Sequence, residues 1–324
     1  MKFYSGFKAA ALVVGSLLAV SAAHAQSIGI ATSNPGSLYL STGSAIAKMA
    51  SEKAGISATV QPFASATIYL PAVNAGEYGF GITNVEELRL AVTGTGHFKG
   101  RVHDNLRAAS ILYPLRVAWF VRADSDIKTI ADLKGKRLTT GFTSQKTIPP
   151  MLVAELETAG LTLDDVKKVR VPNVVAAANA FIAGKADAFF FALGAAKVRE
   201  ANASVGGIRA LGIANTPANA AILKKHFPPS YLRNEKPSKR NIGVLDPISV
   251  MTYDGAIVAS TGTSEDAVYK MVKSMHANKK MMGKTFGVLN LFNPKRMATD
   301  LGPIKWHDGA IKFYKEQGMW PPKG

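Results

Sequence analysis

Lys168-Val169-Arg170-Val171-Pro172-Asn173 repeats the pattern of Ala58-Thr59-Val60-Gln61-Pro62-Phe63, and the likeness continues downstream of both copies. Ala180-Phe181-Ile182-Ala183-Gly184 stands to the second copy as Ala72-Val73-Asn74-Ala75-Gly76 stands to the first. Ala188 to Phe191 then falls where Phe80 to Thr83 fell, about 108 residues earlier. Each copy reads as a short strand, a helix closed by a glycine at its carboxyl end, and a second, buried strand. A period of this length is too long for a solenoid repeat and suits two similar βαβ lobes.

The rest of the chain extends the same alternation, which predicts α/β layering. Ser27 to Thr32 reads as a strand, Asn34-Pro35-Gly36 as a turn, Leu38 to Lys53 as a helix and Ile56 to Pro62 as the next strand. Between the copies, Ser110 to Val121 alternates around Tyr113-Pro114 and is expected to cross from one lobe to the other, with Ser249 to Asp254 as the returning strand. Two crossings predict a first lobe built from residues 26–116 and 251–324 and a second from 117–250. Each lobe is then a central sheet flanked by helices, joined by crossing hinge strands. The stretch from His226 to Arg240, with Pro228, Pro229 and Pro237, is expected to be a surface loop. Ser264 to Met275 is a capped amphipathic helix with Val268, Met271, Val272 and Met275 on its apolar face.

The chain of 324 residues has 39 Lys and Arg against 22 Asp and Glu, a formal charge of +17, and no cysteine. Its length suits about two domains. Absent cysteine excludes a disulfide scaffold, a thiolate nucleophile and Cys-ligated zinc or iron–sulfur sites. At the amino end, Lys2 and Lys8 precede the small apolar run Ala9 to Val20, and Ala23-His24-Ala25 places alanines three and one residues before Gln26. This is the pattern of a secretory signal peptide, residues 1–25, cut after Ala25. The apolar run is short of the ~18 residues that a spanning helix needs. Removing the signal takes two positive charges and leaves +15 on an exported, periplasmic chain. The remaining basic residues are scattered in twos and threes without interleaved aromatics, which argues against nucleic acid and toward small anionic partners.

Catalytic signatures are missing. His24 belongs to the signal, and His97, His103, His226, His276 and His307 form no His-x-x-x-His pair. Gly94-Thr95-Gly96 fails as a dinucleotide fingerprint because Lys99 stands at its third glycine position, and neither a Gly-x-Ser-x-Gly elbow nor a Walker loop occurs. We therefore expect no enzyme, no cofactor and no metal. In open α/β sheets, ligands sit beyond the carboxyl ends of the strands, where helix N-termini present free N–H groups to anions. This rule selects Ser33, Ser37 and Tyr39 after the first strand, Ser65 and Thr67 after the second and Asn84 after the third. In the middle of the chain it selects Thr143, Ser144 and Lys146 ahead of Pro149-Pro150, and then Asn173. Lys146 is the cation of the set, and a cation near a helix N-terminus makes sense when an anion lies between it and the dipole. Tyr113 and Tyr253 complete the candidate walls. Each hydroxyl or amide here is also an ordinary N-cap or turn former.

Several segments together resemble the TAXI family of periplasmic solute receptors for tripartite ATP-independent (TRAP) transporters, over essentially the whole mature chain. They are Gly29-Ile30-Ala31 with Gly36-Ser37-Leu38-Tyr39, Val73 to Phe80, Tyr113-Pro114, Asp124 to Arg137, Gly184 to Ala188, and His307 to Glu316. The resemblance implies a two-lobed, type II-like periplasmic binding protein that closes on a small organic anion, such as a carboxylate, dicarboxylate or acidic amino acid. It also implies delivery to the integral membrane subunits of a TRAP transporter, driven by an ion gradient. Carried over, it assigns ligand contacts to Ser33, Tyr39, Ser65, Thr67, Thr143 and Ser144. Two departures fall in the expected site: Pro35-Gly36-Ser37-Leu38-Tyr39 replaces the family's Gly-Gly-Thr-Tyr-Tyr, and Ser144-Gln145-Lys146 replaces its Ser-Gly-Thr. A receptor for an ATP-driven importer and a periplasmic enzyme on the same scaffold are the competing readings, because fold alone does not fix function.

Overall fold

β1 (Ile28–Ser33) runs into α1 (Leu38–Met49) through the turn at Gly36, and Ser37 caps the helix by accepting the Leu40 amide at 3.1 Å. Gly43 lets α1 lie close over β1, since a Cβ there would collide with the Thr32 methyl. The α-helix passes at Met49 into a π-turn over Ala50–Ala54, closed by Gly55 at φ +65°, so the helical stretch ends one residue after the expected Lys53. β2 (Ala58–Phe63), α2 (Ala66–Asn74) and β3 (Phe80–Asn84) complete the first βαβ unit, and α3 (Val85–Thr93) follows directly, capped by Asn84. The computed structural model describes residues 27–322 together with Met1; the predicted signal peptide, its cleavage point and Gln26 lie outside the described residues.

The middle of the chain rebuilds the same unit. β5 (Arg137–Gly141), α4 (Ile148–Glu157), β6 (Lys167–Val171), α5 (Val174–Ile182) and β7 (Ala188–Ala192) follow the long strand β4 (Leu106–Arg122). Both α5 and β7 are displaced from α2 and β3 by the same spacing of about 108 residues that the sequence shows. Strand pairing makes the equivalence plain. β2-β1-β3 pair in parallel and β3 meets β10 (Ile248–Ser260) antiparallel, while β6-β5-β7 pair in parallel and β7 meets β4 antiparallel. β4 and β10 pair with each other along most of their length, Leu106 with Ser260 and Val117 with Met251, and weld the two halves into one ten-stranded sheet. This is the two-lobed α/β architecture with long crossing strands that the alternation predicts.

Beyond β7 come α6 (Ala196–Ser204), β8 (Ile208–Ala210), α7 (Pro217–His226) and β9 (Tyr231–Glu235). β9 corrects the expectation of a loop from His226 to Arg240. Tyr231 to Glu235 pairs antiparallel with Thr252 to Ile248, and the prolines flank the strand without interrupting it. A second reason is electrostatic: the pairing brings Glu235 to the buried Arg116, at 2.9 Å from Nη1. The chain closes with α8 (Glu265–Ala277), α9 (Lys279–Thr285) and α10 (Asp308–Glu316). Ser264 caps α8, and Val268, Met271, Val272 and Met275 are fully buried, each contributing roughly 1.5–3 kcal/mol as an upper estimate. Among the described residues no helix is long and apolar enough to cross a membrane.

Candidate functional site

The carboxyl ends of β1, β5 and β6 point their loops toward one cavity, floored by the middles of β4 and β10 and the end of β7. Four helices begin around it. Ser37 and Leu38 open α1, Ala64 precedes α2, Gln145 and Ile148 open α4, and Asn173 and Val174 open α5. The first N–H groups of a helix have no partner inside it. Here Ser37 satisfies the Leu40 amide, Asn173 Oδ1 the Ala176 amide at 3.0 Å, and Gln145 Oε1 the Val174 amide at 3.2 Å. The amides of Leu38, Tyr39 and Val175 find no acceptor among the described residues. The Ser33 hydroxyl, on a nearly buried residue of the cavity wall, is likewise unpartnered.

The remaining wall is apolar: Leu115 and Val117 from β4, Phe190 to Ala192 from β7, and Val175. Among the described residues no Lys, Arg, His, Asp or Glu lines the cavity. Tyr39 and Tyr253 supply its phenols. Burial pushes the Tyr39 hydroxyl well above its usual range, helped by Tyr253 and Tyr69 nearby, and burial likewise raises Tyr253, reinforced by Glu87 and Tyr113. Both stay neutral donors at any physiological pH. The Tyr253 ring is backed by Phe227, 4.8 Å between centroids. Such a site can hold a compact solute that has one anionic or strongly accepting end, met by helix N-termini and hydroxyls, and an apolar body.

Of the residues chosen from the sequence, the structure brings Ser33, Ser37, Tyr39, Asn173 and Tyr253 together on the wall. Asn84 stands one step behind, its amide donating to the Tyr39 hydroxyl at 3.0 Å while its oxygen caps α3. Tyr113 lies beneath, its hydroxyl 2.6 Å from that of Thr42, and burial raises it too. Thr67 donates to the buried Glu87 carboxylate at 2.7 Å, which His97 Nε2 also meets at 3.0 Å. Thr143 and Lys146 are exposed and do not line the cavity. Ser65 donates to the Ser144 carbonyl, and the Lys197 amide donates to the Gly36 carbonyl at 3.1 Å. These two bonds join loops of the first βαβ unit to the middle of the chain, next in sequence to the lining residues Ser37, Ala64 and Gln145.

Asn34 and Gln145 lie within the loops that the strand-end rule selects but were not among the candidates, and Ile148 and the apolar wall were missed. The structure shows why this loop is held: Gly141 and Phe142 turn the chain after β5 with φ of +88° and +44°, and of this the sequence carries only the glycine. The apolar residues carry no signal, since core and ligand wall use the same side chains.

The NMT1-like family model matches residues 30–318. The chain belongs to the NMT1-like family. Among solved structures it is similar to PhnD1 from Prochlorococcus marinus (MIT 9301) in complex with methylphosphonate, with 12% identity over 82% of this chain and 92% of that one and a TM-score of 0.54. A protein from Bordetella bronchiseptica RB50 shares 15% identity over 90% of this chain and 98% of that one, with a TM-score of 0.53. A periplasmic transporter structure shares 14% identity over 80% and 85%, also at 0.53. At these identities the likeness establishes the fold, that of the two-lobed periplasmic binding proteins. What the chain does with this fold is taken up below.

Proposed function

We propose that this NMT1-like chain is an exported, periplasmic solute receptor that captures a small organic monoanion with an apolar body and performs no chemistry on it. The lobes would be residues 26–116 with 251–324 and residues 117–250, closing by bending at β4 and β10, with residues 1–25 as the export signal. The observation that carries the reading is the uncharged, largely apolar cavity on which four helix N-termini converge, with the amides of Leu38, Tyr39 and Val175 left over. A single anionic group can be neutralised by such N–H groups; a second charge on the ligand would find neutral hydroxyls, amides and apolar side chains but no cation on this wall. This favours a monocarboxylate, or a comparably small oxyanion of the size of the methylphosphonate bound by PhnD1, over a dicarboxylate.

Delivery to TRAP membrane subunits follows from the TAXI resemblance. The site residues proposed are Ser33, Ser37, Tyr39, Asn173 and Tyr253 in contact, with Asn84, Tyr113, Ser65, Thr67, Thr143, Ser144 and Lys146 around them. The test is a thermal-shift panel of butanoate, benzoate, phenylacetate, methylphosphonate, succinate and glutamate. A monoanion at a hundredfold excess over its Kd stabilises by about 2.7 kcal/mol, a Tm rise of several degrees. Shifts confined to succinate and glutamate, the compounds with two carboxylates, or none across the panel, would overturn the ligand class; turnover of a bound compound would overturn the receptor reading. Uptake by vesicles carrying TRAP membrane subunits should follow an imposed ion gradient, and dependence on ATP would overturn that assignment.

A further inference from the structure

Among the described residues no charged side chain lines the front cleft, whereas four cationic side chains line a cavity behind it. Leu115 and Val117 of β4 line the front cavity, so alternation places the Arg116 side chain between them on the opposite face of the sheet. There it lines a second, larger cavity. Arg199 from α6 and Lys239 and Arg240 after β9 line it as well, while Val288, from a turn before α10, forms part of the far wall. Four cationic side chains therefore face one carboxylate, Glu235. That carboxylate is already committed: it accepts from Arg116 Nη1 at 2.9 Å, from Arg233 at 2.9 Å and from Asn241 at 2.8 Å. Arg199, Lys239 and Arg240 form no ion pair with any described residue. Arg116 is 5% exposed, and its Nε is a buried donor without an acceptor.

Arg199, Lys239 and Arg240 are exposed and solvated by water, but set on one cavity around a carboxylate already committed to Arg116 they leave it with an excess of positive charge that a multivalent anion would neutralise. We propose that this rear cavity binds a small polyanion with two or more oxyanion groups, one group reaching the Arg116 side and the others held by Arg199, Lys239 and Arg240. The site is independent of whatever the front cleft takes. Because Gly194, whose added Cβ would meet the Val288 methyl at 2.6 Å, follows Ala192 of the front wall by two residues, the rear site is built from the same β7–α6 connection that shapes the cleft.

The probe is sodium pyrophosphate, titrated calorimetrically into the full chain at about 0.15 M ionic strength, where exposed charges beyond about 8 Å are screened. The expected result is saturable binding of one pyrophosphate, weakened at least about tenfold in Arg199→Gln/Lys239→Gln/Arg240→Gln, whose charge-assisted contacts are gone. A control with equal charge removed elsewhere, Lys99→Gln/Lys185→Gln/Lys315→Gln, should bind as the parent does. A citrate titration distinguishes the source: binding of both probes assigns any polyanion, and of pyrophosphate alone a phosphate compound. Absence of saturable binding of either probe, or equal affinity in the cavity variant with its melting temperature intact, would overturn the proposal. So would equal weakening in the control variant.

Discussion

Asn173 poses the central question about the cleft, because its side chain both caps α5 and lines the cavity. Replacing it with alanine removes the Oδ1 acceptor of the Ala176 amide, which costs about 1 kcal/mol of stability, within a range of roughly 0.5–2. It also removes the Nδ2 donor, and a hydrogen bond to an anionic ligand is worth about 1.5–3 kcal/mol, or roughly tenfold to a hundredfold in Kd. Thr216→Ala supplies the comparison. Thr216 caps α7 by accepting the Asn219 amide at 3.2 Å and lies outside the cavity, so it loses a similar cap with no ligand contact. Urea unfolding should show comparable losses in both variants, while calorimetry with the best monoanion of the panel should show weakening only in Asn173→Ala. Asn173→Ser, which retains a capping oxygen, should recover stability but not affinity. The reasoning is refuted if Asn173→Ala binds within about twofold of the parent, or if Thr216→Ala weakens the ligand as much.

Two further perturbations probe the buried charges. Glu235→Met strips Arg116 of its carboxylate and should cost about 3–5 kcal/mol in urea unfolding, whereas Arg116→Met/Glu235→Met should recover at least half of that; equal losses would show that the two charges are not coupled. Glu155, fully buried on α4 with neither carboxyl oxygen paired, has its pKa raised well above the usual range by burial, so the folded state holds the proton that the unfolded chain releases near pH 4.3. The stability tied to that proton is fully present below about pH 4.3 and is lost as pH rises through the folded value. Glu155→Leu should therefore be more stable than the parent at pH 8, by about 1–3 kcal/mol, with the difference shrinking toward pH 4. A Leu variant less stable at pH 8 would show that the carboxylate has a partner in solution.

What could be read in the linear chain follows from the range of the forces involved. Hydrophobic period, turn glycines and caps act within a few residues, so the paired βαβ units, the Gly76 and Gly184 helix ends and the Ser264 cap of α8 were legible, and the repeat spacing carried directly into α2 and α5. The strand-end rule likewise placed Ser33, Ser37, Tyr39 and Asn173 at one site, because parallel strands deliver their loops to the same edge. β9 was not legible, since its prolines and charges read as loop chemistry and its pairing partner lies beyond Ile248, after a separate turn. Lys146 and Arg116 show the same division. From the sequence, Lys146 was the cation to place against a ligand and Arg116 only another residue of a crossing strand. The tertiary fold leaves Lys146 in solvent and buries Arg116 on the reverse face of the strand whose neighbours line the cleft. Where a charge ends up depends on which face of the sheet is covered and by what. Only long-range packing settles that.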